Sequence, residues 1–245
     1  MPNDKAPSEP GLNLRHSFVA MLFALTAGQI ALSTTDLIEI WQTGQNDPMQ
    51  LAVPSAHLIL ALVLLSASWV GWSVTAASKS FQQLSHLFRS PYVVLLIDVI
   101  LVIVYFAIVR AVEIRQVLSP QPDGNYVLHS QLDIPSPIGE ALGITIVCFI
   151  YLIWDVVHDV IMRRREASET RPVCIKRGLI DTFPSLVCVI LSIVVCLTIF
   201  LLEISSSGAV ISIDLALLAL VIGFRALKGV EQPLAKKLLP SVASS

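Results

Sequence analysis

Asp155, His158 and Asp159 stand near the end of a long apolar run, three and four residues apart. On a helix that spacing puts all three on one face. An imidazole beside carboxylates can pass protons near neutral pH, and carboxylates alone can hold a cation. Asp98 lies inside another apolar run, about 9 Å from its nearer end, and Asp155 lies about 10 Å from the matching end of its own run. Trp69 and Trp72 fall at similar depth and carry indole N–H groups that can donate to a carboxylate. Asp98, Asp155, His158, Asp159, Trp69 and Trp72 are therefore the first candidate polar site, with Asp181 at its border. Ionisable side chains at such depth are costly in a membrane and are where a function would sit.

A second acidic group falls at the other ends of the apolar runs: Asp36, Glu39, Glu140, Glu203 and Asp214. Arg110 and Arg115 are the basic residues near it. Carboxylates at both depths with few cations suit a path for a cation or proton, because neighbouring carboxylates share protons. A simpler role for Glu39, Glu140, Asp181 and Glu203 is to end or cap helices where they meet water.

Other chemistries fit less well. Asp155 and Asp159, four apart with Arg163, Arg164 and Arg165 beyond, resemble the acidic pairs with which membrane prenyltransferases and CDP-alcohol phosphotransferases hold Mg²⁺ against a pyrophosphate. The resemblance stops there. No Asp-Gly step with an upstream Ala-Arg pair precedes Asp155, and no second acidic motif follows. The chain lacks Gly-x-Gly-Asp, Gly-x-Ser-x-Gly and His-Glu-x-x-His. One His on one helix is a poor metal shell, and no Cys-x-x-Cys pair exists among the four cysteines. No catalytic residue, metal or cofactor is expected, and a lipid-phosphate enzyme is the third reading.

The elements that must position these groups follow from composition. The chain has 245 residues, of which 55% are apolar and 14% charged, and its mean hydropathy is +0.76. Soluble domains carry nearer a quarter charged residues. This excludes a soluble enzyme, a disordered chain and a nucleic-acid binder, and leaves a multi-pass membrane protein. Six runs are long enough to cross a bilayer: residues 18–41, 57–76, 92–112, 141–162, 180–202 and 210–227. The fold expected is an all-α polytopic bundle of six transmembrane helices. Residues 1–16 form an arm, 17–228 the helical domain and 229–245 a tail. Fourteen of the sixteen Lys and Arg residues fall on one side of this arrangement, so both termini are assigned to the cytoplasm of a bacterial plasma membrane. A cleavable leader ending near Ala31-Leu32-Ser33 is the alternative for the first run.

Between runs three and four, residues 113–140 are too short and Pro-rich for a domain but long enough to cap the helix ends. Arg163, Arg164 and Arg165 suit anionic lipid headgroups. Ala20, Ala24, Gly28 and Ala31 make a small-residue face on the first helix, suited to close packing or to a homo-oligomer or membrane complex. Asp98 and Asp214 sit at similar places in runs three and six, as an inverted repeat would have them. The leading expectation is a small channel or transporter for a cation, proton or small solute. The alternative is a membrane subunit, sensor or scaffold of a larger complex.

Overall fold

The computed structural model describes residues 10–43, 48–77, 91–110, 113–120, 126–133, 136–156, 171–204 and 206–238. His158, Asp159, Arg163, Arg164 and Arg165 lie outside them, and of Asp181 only the backbone is described. Six helices are present among these residues. They are α1 (Pro10–Thr43), α2 (Pro48–Ala77), α3 (Pro91–Val109), α4 (Pro137–Asp155), α5 (Arg171–Leu202) and α6 (Ser207–Leu238). Five contain stretches long and apolar enough to cross a membrane, and α3 contributes a shorter one, Leu95–Val109. Together they form an α-helical bundle of the multi-pass membrane kind.

The helices begin earlier than hydropathy alone suggests. Proline is tolerated in the first turn, where its missing N–H would have no partner. Pro48 opens α2 nine residues before His57, and Pro137 opens α4 three residues before Glu140, behind Ser136 in extended conformation. His57 therefore lies well inside α2, and Glu140 within the first turn of α4.

Side-chain pairings show the helix directions. His57 near the start of α2 meets Ile108 at the end of α3 and Glu140 at the start of α4. Asp155 at the end of α4 meets Ser185 early in α5 and Lys228 late in α6. Consecutive helices thus run antiparallel between two ends. One end carries the segment between α3 and α4, and the other carries the first turns of α1 and the last turns of α6.

Part of that segment departs from an all-α fold. Strands β1 (Glu113–Pro120) and β2 (Tyr126–Asp133) pair as an antiparallel hairpin. Its register sets Ile114 against Leu132 and Leu118 against Leu128, with Glu113 against Asp133. The apolar pairs favour this register, whereas the two carboxylates opposite each other do not. Pro122, Asp123 and Gly124 between the strands are residue types that favour chain reversal. Residues 113–140 thus hold a hairpin and then the first turn of α4.

The core runs along the bundle axis through Leu60, Leu64, Tyr105, Ile144, Val147 and Leu217, all buried. α4 packs most extensively on α5, and α2 on α6. Long apolar side chains elsewhere point outward, among them Leu25, Ile103, Phe149, Phe200 and Leu215. An exposed apolar belt around a smaller polar-containing core is the arrangement a lipid solvent favours.

Candidate functional site

At the hairpin end three ionisable side chains from three helices meet in the interior. His57 (α2), Glu140 (α4) and Asp214 (α6) are 0%, 2% and 1% exposed. His57 Nε2 lies 2.7 Å from the carbonyl oxygen of Ile108. A carbonyl only accepts, so Nε2 carries the hydrogen and donates it. Nδ1 then faces Glu140 Oε1 in close contact. Asp214 is within reach of Glu140 for a carboxyl–carboxyl hydrogen bond once one of the two is protonated.

Local structure supports this placement. Ile108 is in the last turn of α3, where carbonyls lack helical partners and the helix dipole is negative. Glu140 is in the first turn of α4, where the dipole is positive. Gly143, one turn past Glu140, lets α3 and α4 approach. A Cβ there would sit 2.8 Å from Ile108 Cγ1. Pro54, inside α2 and one turn before His57, has no N–H to give the backbone carbonyl of Gln50.

The number of protons follows from donors and acceptors. With both carboxyls ionised, Glu140 and Asp214 find no hydrogen-bond donor among the described residues beyond the His57 contact. Two ionised carboxylates side by side in a buried place repel strongly. One proton between Glu140 and Asp214 turns that contact into a hydrogen bond. A second, between Nδ1 and Oε1, serves the His57–Glu140 contact on whichever side it resides. The cluster is complete only when it holds protons, and it has groups to exchange them.

A second polar group lies at the opposite end. Asp155 Oδ2 accepts from Ser185 Oγ and pairs with Lys228 Nζ at 2.7 Å. Pro184 stands directly before Ser185 inside α5. Deeper in the bundle, Tyr105 donates to Ser68 at 2.5 Å, and its oxygen is 3.4 Å from that of Tyr151. The charges of Arg225 and Asp155 both reach Tyr151. Arg225 lies over Gly71, where a Cβ would come within 3.0 Å of Nη1.

The residues singled out from sequence are distributed as follows. Glu140 and Asp214 come together, with His57 as the partner that sequence reasoning did not name. Asp155 is buried among Ser185 and Lys228, also not named. Asp98 is half-buried on α3. Trp69 and Trp72 stack on each other at 5.3 Å, and Phe23 packs against both. They belong to an aromatic cluster on α1 and α2. Asp36 and Glu39 are exposed on α1.

Glu203 is also exposed and has φ of 45°. Ile204 N–H reaches back to the Ile199 carbonyl at 3.5 Å, so Glu203 takes the left-handed position that ends many helices and is usually glycine. Ala24, Gly28 and Ala31 are exposed, and Ala20 is half-buried. No described residue lies within 4 Å of a Cβ built at Gly28, so among the described residues this part of the small-residue face is not used for packing.

Among the described residues no three His, Cys, Asp or Glu side chains are arranged to hold a metal ion. A groove of about 340 Å³ lies between the end of α1 and the start of α2, lined by Leu37, Trp41, Leu51 and Ser55. No family model, curated relative or solved structure matches this chain.

Proposed function

We propose that this chain moves protons across a membrane, alone or against a cation or small solute, with His57, Glu140 and Asp214 as the exchange site. The observation that carries this reading is the contact of three buried ionisable side chains, from α2, α4 and α6, in a bundle of membrane-length helices. Imidazole–carboxylate chains inside membrane bundles are suited to proton relay. Their protons can leave one at a time, because the same three groups offer alternative partners to whichever proton remains.

In this reading six helices span a bacterial plasma membrane and both termini are cytoplasmic. The Lys and Arg distribution supports that orientation. The hairpin end then faces outward, and the acidic residues Asp36, Glu39 and Glu203 surround the approach to the site as a cation-attracting rim.

The experiment is reconstitution into liposomes with a pH-sensitive dye inside and a potassium diffusion potential as driving force. Wild-type protein acidifies or alkalises the lumen according to the sign of the potential. Asp214→Asn, of nearly the same shape and still able to hydrogen-bond Glu140, reduces the rate at least tenfold. Wild-type vesicles no faster than empty ones reject the reading.

Exposure of Gly28 and its neighbours favours a second reading, a membrane subunit whose α1 packs against another helix. Gly28→Leu fills that face. Loss of a larger assembly on native gels with unchanged proton flux supports the subunit role.

A further inference from the structure

We propose that the Asp155–Ser185–Lys228 joint is a gate closing the end of the bundle opposite the hairpin. This rests on the proton-exchange reading and gives that path its second mouth.

Three observations place a gate there. The joint ties three helices together at one level, with Asp155 on α4, Ser185 on α5 and Lys228 on α6. It sits at the edge of the interior and not within it: the side chains of Lys228 and Asp155 are 17% and 11% exposed, at the ends of the membrane-length stretches of α4 and α6. A carboxylate and an ammonium at such an edge can separate and be hydrated at far lower cost than a fully enclosed pair. Pro184 adjoins Ser185 inside α5 and leaves the carbonyl of Ile180 without its helical N–H. A helix bends most readily at such a place, so the Ser185 side of the joint has a built-in hinge.

What lies behind the joint gives it something to close. Tyr151 is one turn before Asp155 on α4. Its hydroxyl nears that of Tyr105, which donates to Ser68. This row of buried hydroxyls ends on α3 three residues from Ile108, about 4.5 Å along the helix axis. The Ile108 carbonyl is the one that accepts from His57. Tyr105 and Ile108 thus anchor the hydroxyl row and the exchange site to the same turn of α3. Tyr151 lies one turn inside the joint on α4, so parting Asp155 from Lys228 would bring water towards its hydroxyl.

A native cysteine reports on the joint. Cys188, one turn beyond Ser185, is 2% exposed and within electrostatic reach of Lys228. Cys196, two turns further on α5, touches Thr145 and lies away from the joint. The test uses full-length chains keeping only Cys188 or only Cys196, labelled with a membrane-impermeant maleimide in vesicles open at the tail end. Lys228→Met and Asp155→Asn should each raise labelling of Cys188 at least tenfold and leave Cys196 unchanged. The exchanged pair, Asp155→Lys with Lys228→Asp, should bring Cys188 back towards the slow wild-type rate.

Labelling of Cys188 at the wild-type rate in both single variants overturns the gate. So does an equal rise at Cys196, because that marks general loosening of the bundle. An exchanged pair that labels as fast as the single variants also counts against it. Labelling does not require flux. If wild-type vesicles carry no protons but the Cys188 pattern holds, the exchange reading fails and the opening of the joint stands.

Discussion

The two polar groups at opposite ends of the bundle use ionisable residues in different ways. At the tail end the carboxylate is matched by donors: the Lys228 ammonium and the Ser185 hydroxyl. At the hairpin end two carboxyls face a single imidazole, and all three are more deeply buried. A matched group is satisfied by its own side chains, so it can fasten helices. A mismatched group is satisfied only with protons, so its state follows the proton supply. Enclosure sharpens the contrast, because an unmatched charge costs most where water is absent.

Variants at the hairpin end should have the largest effects. His57→Leu leaves two buried carboxyls without the imidazole and should lower stability by about 3–5 kcal/mol, read as thermal unfolding in detergent. A loss under about 1 kcal/mol would show that water already reaches the site and that the contrast is false. Gly143→Ala tests the same end through the backbone. Its Cβ meets Ile108, which must change rotamer or push α3 away, at about 1–3 kcal/mol. Proton flux should fall more than stability, because the Ile108 carbonyl is a partner of His57.

Lys228→Met tests the tail end. Asp155 keeps its Ser185 bond and its partial exposure, so the cost should be about 1–2 kcal/mol. If this variant is less stable than His57→Leu, the ordering of the two ends is reversed. Glu203→Gly lies outside both groups. It relieves a left-handed residue at the α5 terminus and should stabilise by about 1 kcal/mol without changing flux.

How much of this was legible in the sequence depends on the distance over which each feature acts. The membrane character was plain, because long Leu, Ile and Val runs state their own solvent. Asp155 and Asp214 were visible as charges inside such runs. His57 was harder to find. Pro54 makes residues 51–56 look like the approach to a span, so His57 read as its first residue. A proline inside an already running helix gives the same local signal as one before its start. The apolar stretch Leu51-Ala52-Val53 ahead of it was the available clue.

Lys228 was counted only as a positive charge near a membrane surface, since its partner is 73 residues earlier in the chain. Glu140 read equally well as a helix cap. Only its contacts with His57 and Asp214, from helices far away in the chain, turn it inward. The hairpin was hidden for a different reason: its pattern is carried by cross-strand pairs such as Ile114 with Leu132, and neither strand alternates cleanly by itself.

Infrared difference spectroscopy of the reconstituted protein reads whether His57, Glu140 and Asp214 hold and exchange protons. Stepping the external pH upward should remove a carboxylic-acid C=O band in the wild type as a buried carboxyl loses its proton. The band should be absent in the double variant Glu140→Gln with Asp214→Asn, and unchanged in Asp155→Asn. A wild-type spectrum without a pH-dependent carboxyl band, or a band that survives in the double variant, would contradict the account.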